Sequence, residues 1–243
     1  LGAALVPALV GSLAGSAVYL GLTRAGMGPV WDFPAIGDLG ASDLALAVGL
    51  GLVGATGAWA FALGARLGRR ILRPVPVSAR LVVGGLALGL LALWSPYALT
   101  FGEDQLSTVL DGDLTVAALA VALGAKLLGT TVTLVSGWKG GFIIPLFFMG
   151  AVGGQLLHHV LPAANASILM AALMVGLCVG VTKTPVGTTL VVTEMAGLTL
   201  LPVTIIAAVI SLLATSPFTM IDSQRARDHG VDDVLLATPE VPS

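Results

Sequence analysis

Long apolar runs separated by short polar links make up most of the chain. A membrane-spanning helix needs about 20 consecutive apolar residues. Runs near that length lie at 1–22, 44–63, 81–99, 114–135, 142–161, 167–181 and 185–215. The last run is interrupted only by Glu194 and is long enough for one span and a partial one. Because backbone amides find no water partner in hydrocarbon, these runs are predicted to be helices rather than open strands.

The composition indicates the same class of protein. Hydrophobic residues make up 56% of the 243 residues and charged residues 10%, against about 25% charged in a soluble domain. The 32 glycines favour close helix packing through small residues about four apart, as in "GSLAGSAVYLG" and "GLGLVGATG". We therefore predict one all-α polytopic membrane domain over residues 1–221, followed by a short tail at 222–243 and no soluble regulatory module.

Several function classes are disfavoured by the remaining residues. A formal net charge of -2 gives no reason to expect a nucleic-acid partner. The single cysteine, Cys178, lies in an apolar run and is predicted to be a buried thiol. An intramembrane enzyme or metal carrier would have to use His158, His159 and Glu194, but adjacent helical residues point about 100° apart. We therefore expect no enzyme activity, no metal and no cofactor.

The charged links suggest an orientation. The basic cluster at 66–74 is predicted to be cytoplasmic because cytoplasmic loops carry an excess of Lys and Arg. The acidic link at 100–113 contains no Lys or Arg and suits the outer face. The tail from Asp222 onward is placed on the cytoplasmic side.

Few charges interrupt the second half of the chain. Between residues 114 and 221 only Lys126, Lys139, Lys183 and Glu194 are charged. Each would cost about 2.5 to 3.5 kcal/mol at the centre of a bilayer, so each is predicted to face protein, water or an ion. As alternatives, Lys126 and Lys183 reach the nearest interface, and Glu194 pairs with a lysine or caps a helix.

The segment "SGWKGGFIIP", residues 136–145, combines a glycine-rich turn with a new helix. Such a turn leaves backbone N–H groups unpaired, and Pro145 near a helix start loses no hydrogen bond. The first helical turn also carries partial positive charge. These features together predict an anion site formed by main-chain amides. A re-entrant turn packed by glycines without a ligand is the alternative, and "VTKTPVG" at 181–187 repeats the pattern.

These residues resemble the CLC family of chloride channels and proton-coupled chloride transporters. The family's pore signature is matched at Ser136, Gly137, Gly140, Gly141 and Pro145. The segments "KLLGTTVTLVSG", "VTKTPVGTTLVVTEM", "IDSQRARDHG" and "LTFGEDQLSTVLDG" resemble other parts of the family's pore domain. The resemblance covers about residues 1–230.

The resemblance implies a homodimer with one anion path per subunit, built from inverted repeats with broken and re-entrant helices. The helix N-termini would point at a central chloride ion. The amides of Phe142 and Ile143 would contact that ion, within a site formed by the backbone of Gly140, Gly141, Phe142, Ile143 and Ile144. Lys126, Lys139 and Lys183 would raise the local potential for anions.

Three departures from the family pattern bear on function. Ile143 stands at the family's usual phenylalanine position, and Ile221 at the position of its pore tyrosine. The family's Gly-Ser-Gly-x-Pro loop and its gating-glutamate loop are absent from the 243 residues. We therefore expect the chain to begin within the first repeat, to be either a truncated protein or one that works with another piece, and not to form a complete pore as given.

The expected function is transport of a small inorganic anion, in the first place chloride. In the family that this chain resembles, proton-coupled members place an internal acidic residue in a region that here falls near Tyr19 to Trp31. Residues 1–31 contain no Asp or Glu, so the resemblance favours a channel or an uncoupled transporter over a proton antiporter. A fluoride or other anion transporter and a non-conducting membrane scaffold are the alternatives. The expected location is a bacterial plasma membrane.

Overall fold

The structure, a computed structural model, describes residues 2–23, 29–138 and 140–217. Within these ranges the chain forms nine α-helices and two short 3-10 helices, at Pro96–Ala98 and Leu198–Leu200, and no strand. The α-helices are α1 Gly2–Thr23, α2 Ala41–Leu72, α3 Val77–Trp94, α4 Glu103–Leu110, α5 Val116–Ser136, α6 Ile143–Val160, α7 Ala166–Thr182, α8 Pro185–Ala196 and α9 Leu201–Thr215.

The predicted fold class is confirmed. In the described part of the chain five helical segments are long and apolar enough to cross a membrane: Ala41–Leu72, Val77–Trp94, Val116–Ser136, Ile143–Val160 and Leu198–Thr215. Two shorter apolar helices, Val6–Leu22 and Ala166–Thr182, accompany them. The protein is an all-α polytopic membrane protein. The predicted tail at 222–243 lies outside the described residues.

The second helix extends well beyond its predicted end at residue 63. It has 32 residues, which at about 1.5 Å per residue gives about 48 Å, more than the roughly 30 Å hydrocarbon core. Arg69 and Arg70 of the basic cluster form its last turn. Arginine is a good helix former, and no proline lies between residue 63 and Pro74, so the helix continues past the apolar run.

The long final run divides into two helices. Gly197, at φ 121°, ends α8, and the 3-10 turn Leu198–Leu200 leads directly into α9. That backbone conformation is open to glycine and unfavourable for other residues. Gly197 therefore sets the position at which the predicted span and partial span are divided.

A short helix in the acidic link was not predicted. Helix α4 buries Leu106, Val109 and Leu110 and packs against α6. Their spacing of three and four residues is that of an amphipathic helix.

Helix α7 forms the centre of the protein. Residues 167–182 are all buried, and α2, α6 and α9 surround them. Glycines permit this packing: a Cβ built on Gly54 of α2 would lie 2.8 Å from the Cα of Gly176 in α7. The "GLGLVGATG" segment therefore packs as predicted. Gly11 and Gly15 of α1 have open space beside them instead.

Candidate anion site

The site begins where α5 ends. Gly137 follows the last residue of α5 in the left-handed conformation, with φ 88°, which is a common way to end a helix. Residues 138 and 140–142 are not helical, and α6 begins at Ile143 with Pro145 in its first turn. The predicted break between two apolar helices is therefore present.

Four backbone amides at this break have no partner among the described residues. Within the described residues, the N–H groups of Gly141, Phe142, Ile143 and Ile144 have no hydrogen-bond acceptor. The first backbone hydrogen bond at this end of α6 runs from the Leu146 N–H to the Phe142 carbonyl oxygen, at 3.1 Å. Unpaired amides are a general property of helix N-termini, and the partial positive charge of such an end attracts anions.

A cavity of about 300 Å³ lies against this break. Its walls combine apolar side chains with three threonines and with main chain of the glycine turn. No described residue in the lining carries a carboxylate. The lining residues are Leu88, Ala98, Thr100, Phe101, Gly129, Thr130, Thr133, Leu134, Trp138, Gly140, Gly141, Phe142 and Pro145.

Three of the five predicted amide residues, Gly140, Gly141 and Phe142, line the cavity. Ile143 follows on α6 with its side chain 47% exposed, and Ile144 packs against the core. The predicted positions Lys139 and Ile221 lie outside the described residues. Anion binding by these groups stays a prediction.

Lys126 lies in α5 and is fully buried among protein atoms. Its Nζ donates to the Leu99 carbonyl at 2.9 Å, to the Thr100 carbonyl at 3.3 Å and to Gln105 Oε1 at 3.0 Å. The same atom lies 4.8 Å from the centre of the Phe148 ring, within the range of a cation–π contact. The lysine joins α5 to the link that precedes α4.

Lys183 follows α7 in the left-handed conformation, with φ 61°. Its Nζ donates to the carbonyls of Gly180 and Thr215, each at 2.7 Å. The side chain thus joins the ends of α7 and α9. A role of Lys126 or Lys183 in the anion path stays a prediction.

At the second break, between α7 and α8, threonine hydroxyl groups form hydrogen bonds. Thr182 Oγ1 donates to the Cys178 carbonyl at 2.8 Å and lies 2.8 Å from Thr184 Oγ1. Thr184 Oγ1 is 3.2 Å from Thr188 Oγ1. These side chains bond to one another across the break, so this break differs from the one before α6.

The two adjacent histidines have separate partners. His158 Nδ1 lies 3.0 Å from the Ala164 carbonyl oxygen, and His159 Nε2 lies 3.3 Å from that of Leu114. Glu194 is exposed on α8. The part of the chain that the structure describes holds no group of three or more His, Cys, Asp or Glu side chains suited to a metal.

Sequence reasoning missed most of the cavity wall. Thr130 and Thr133 lie three residues apart in an apolar helix, so they share one face, and this spacing is a usable signal. Thr100 and Phe101 are distant in sequence, and no local pattern places them near the glycine turn. Trp138 lies inside the signature segment, but its side chain was given no role.

The fold and the site define an integral membrane protein with a cavity at the start of a broken helix. Comparison with known proteins agrees with this class. The family model described as "Voltage gated chloride channel" matches residues 2–216. The chain belongs to the voltage gated chloride channel family.

Curated relatives share the name "Putative ion-transport protein YfeO". The protein of Escherichia coli O1:K1 / APEC is 29% identical over 148 residues, covering 59% of this chain and 35% of the relative. The protein of Salmonella schwarzengrund (strain CVM19633) is 31% identical over 146 residues, covering 59% and 34%. The protein of Salmonella newport (strain SL254) is 30% identical over 154 residues, with the same coverage. The aligned part of the chain thus spans about a third of these relatives.

Proposed function

We propose that this protein moves a small inorganic anion, in the first place chloride, across the membrane. The observation that carries the proposal is the cavity of about 300 Å³ at the start of α6, lined by Gly140, Gly141 and Phe142. Membership of the voltage gated chloride channel family supports the same function.

The mechanism is replacement of the ion's hydration shell by fixed dipoles. Amide N–H groups of the glycine turn and of the first turn of α6 supply partial positive charge. Such a site binds strongly enough for entry and weakly enough for exit. In this proposal Lys126, Lys139 and Lys183 add positive potential without contacting the ion.

Passive movement is the preferred mode. The described lining of the cavity contains no acidic side chain that could carry a proton with the anion, and residues 1–31 contain none. We therefore favour a channel or an uncoupled transporter over a proton antiporter.

The assembly is also part of the proposal. We place the protein as a homodimer in a bacterial plasma membrane, with the C-terminus in the cytoplasm. Helix α3 is the one span between the basic end of α2 and the acidic link at 100–113, which suits opposite sides for these two regions. A complete path is expected to need a further segment, since the relatives are longer than the aligned region.

Anion efflux from liposomes tests the proposal. The purified full-length protein, which includes the further segment that a complete path needs, is reconstituted into vesicles loaded in turn with chloride, fluoride and nitrate, and release is followed with ion-selective electrodes. Chloride release above that of protein-free vesicles is expected. If none of the three anions leaves faster than from the protein-free vesicles, the proposal fails for this chain.

Fluoride or another anion is the second candidate because Ile143 replaces the family's phenylalanine at the site. Faster release of fluoride than of chloride would favour it. A chain that forms a stable dimer in detergent and conducts no anion would instead indicate a membrane scaffold.

A further inference from the structure

We propose that Lys126 is a positioning residue. It holds the turn at 99–105, which includes the first residues of α4, in place as one wall of the anion cavity. Its effect on transport rests on the proposed function, whereas its effect on the turn does not. The role differs from an electrostatic one because it depends on hydrogen-bond geometry rather than on charge at a distance.

The hydrogen bonds of Lys126 define the role. A lysine ammonium has three N–H donors and no acceptor. Here it is within bonding distance of three oxygen atoms, on Leu99, Thr100 and Gln105. Since each donor has an oxygen partner within the turn, the ammonium group has no donor left for an anion. Lys126 is also absent from the residues that line the cavity.

The turn itself requires support. Thr100 has φ 57° and Gly102 has φ 97°, so two of its residues lie in the left-handed region. That region is unfavourable for a residue with a β-branched side chain. A surrounding structure must hold such a residue there, and the Lys126 bonds to the carbonyls of Leu99 and Thr100 do so.

Close packing adds to the constraint. A Cβ built on Gly102 would lie 3.2 Å from Lys126 Nζ and 3.2 Å from the Phe148 ring. The glycine therefore lets the turn approach both the ammonium group and α6. Gln105 donates through Nε2 to the Pro96 carbonyl at 3.3 Å, which ties the start of α4 to the residues before the turn.

The turn reaches the cavity directly. Thr100 and Phe101 lie in the lining together with Gly140, Gly141 and Phe142. Loss of the Lys126 bonds would free Thr100 and Phe101 to move, and the wall that faces the glycine turn would open.

Thiol reactivity at position 101 measures this opening without any transport. Phe101→Cys is made in the full chain, and its modification rate in detergent is measured with a polar maleimide. The native Cys178 is fully buried, and the chain without Phe101→Cys gives its background rate. Lys126→Met, Gln105→Ala and Gln105→Glu are then each added to Phe101→Cys.

The positioning role predicts a specific pattern. Lys126→Met and Gln105→Ala should each change the modification rate by about threefold or more. The double variant should change the rate by less than the product of the two single effects, as expected for residues in one hydrogen-bond network. Gln105→Glu keeps an oxygen that accepts from Lys126 but loses the Nε2 donor to the Pro96 carbonyl, so it should change the rate less than Gln105→Ala does. Lys183→Met removes an equal charge that bonds Gly180 and Thr215 instead, and it should leave the rate unchanged.

Two results would overturn the inference. One is an unchanged rate in both Lys126→Met and Gln105→Ala. The other is an equal change in Lys183→Met, which would indicate a general effect of lost charge. Gln105→Ala keeps the test usable if Lys126→Met does not fold.

In parallel vesicle assays, an altered ratio of nitrate to chloride release would connect the wall to selectivity. Absence of all flux together with altered reactivity would count against the proposed function and not against this role.

Discussion

Gly54 of α2 and Gly176 of α7 lie face to face at the centre of the protein. A Cβ added to Gly54 would lie 2.8 Å from the Gly176 Cα and 2.7 Å from its carbonyl carbon, closer than real Cβ contacts allow. The two helix backbones therefore touch here without side chains between them, as small residues permit in membrane helices. This contact fixes how closely α2 approaches the buried helix α7.

Gly54→Ala should destabilise the protein. Overpacking costs about 1 to 3 kcal/mol, which exceeds the gain of up to about 1 kcal/mol in helix propensity on replacing glycine by alanine. We expect a lower thermal unfolding midpoint in detergent. Gly49→Ala on the same helix is the control because a Cβ there would meet no atom within 4 Å. Equal midpoints for the two variants would contradict the close contact.

Lys183 should contribute to stability through both its side chain and its backbone. Lys183→Ala removes the ammonium group that bonds the Gly180 and Thr215 carbonyls and leaves a non-glycine residue at φ 61°. The loss is expected to be about 1 to 3 kcal/mol. Lys183→Gly loses the same bonds but adopts this conformation without strain. It should therefore unfold at a higher temperature than Lys183→Ala. The reverse order would exclude backbone strain at this position.

A pair of substitutions at Gly141 tests whether its amide contacts the ion. A Cβ added to Gly141 would meet no atom within 4 Å, and the residue is not among the glycines with positive φ, so Gly141→Ala should keep both the fold and the N–H group. Gly141→Pro deletes the N–H. If an anion accepts a bond from it, chloride efflux should fall about tenfold, as expected for one charge-assisted hydrogen bond. Equal efflux from both variants, at equal unfolding midpoints, would show that this amide does not serve the ion.

Trp138 should affect which anions pass more than it affects stability. Its Nε1 donates to the Leu81 carbonyl of α3 at 3.2 Å, and its ring lines the cavity. The side chain is 52% exposed, so Trp138→Ala should lower the free energy of unfolding by only about 1 kcal/mol, mainly through the lost hydrogen bond. The cavity should widen, and nitrate release should rise relative to chloride release. Trp138→Phe keeps a ring and should give a smaller rise. An equal ratio of nitrate to chloride release in the original protein and both variants would show that Trp138 does not affect selectivity.

Much of the fold could be predicted because the bilayer restricts the possible structures. Apolar runs must satisfy their own backbone hydrogen bonds, so they become helices. The ends of the helices were less predictable. Helix α2 continues through Arg69 and Arg70 because helix propensity does not stop at the end of an apolar run. Helix α4 was missed because its three buried apolar residues lie in a polar link.

The site was predictable only in part. The glycine turn and Pro145 marked the break before α6, because such a turn leaves backbone amides unpaired and proline is tolerated at the start of a helix. The opposite wall was not predictable because Thr100 lies 26 residues from Lys126 in the chain, the residue that bonds its carbonyl. That contact depends on a left-handed turn and on the packing of α5 beside it, and neither has a local sequence signal.

The sequence by itself determined that the chain crosses a membrane as helices, and where a helix breaks to expose its amides. Both follow from local rules: hydrocarbon excludes unpaired backbone groups, and glycine and proline set the backbone at single positions. Tertiary structure alone decided which surfaces meet across the cavity and which partners Lys126 and Lys183 bind. These depend on contacts between residues far apart in the chain, because a buried ammonium group is stable only where distant carbonyl oxygens surround it.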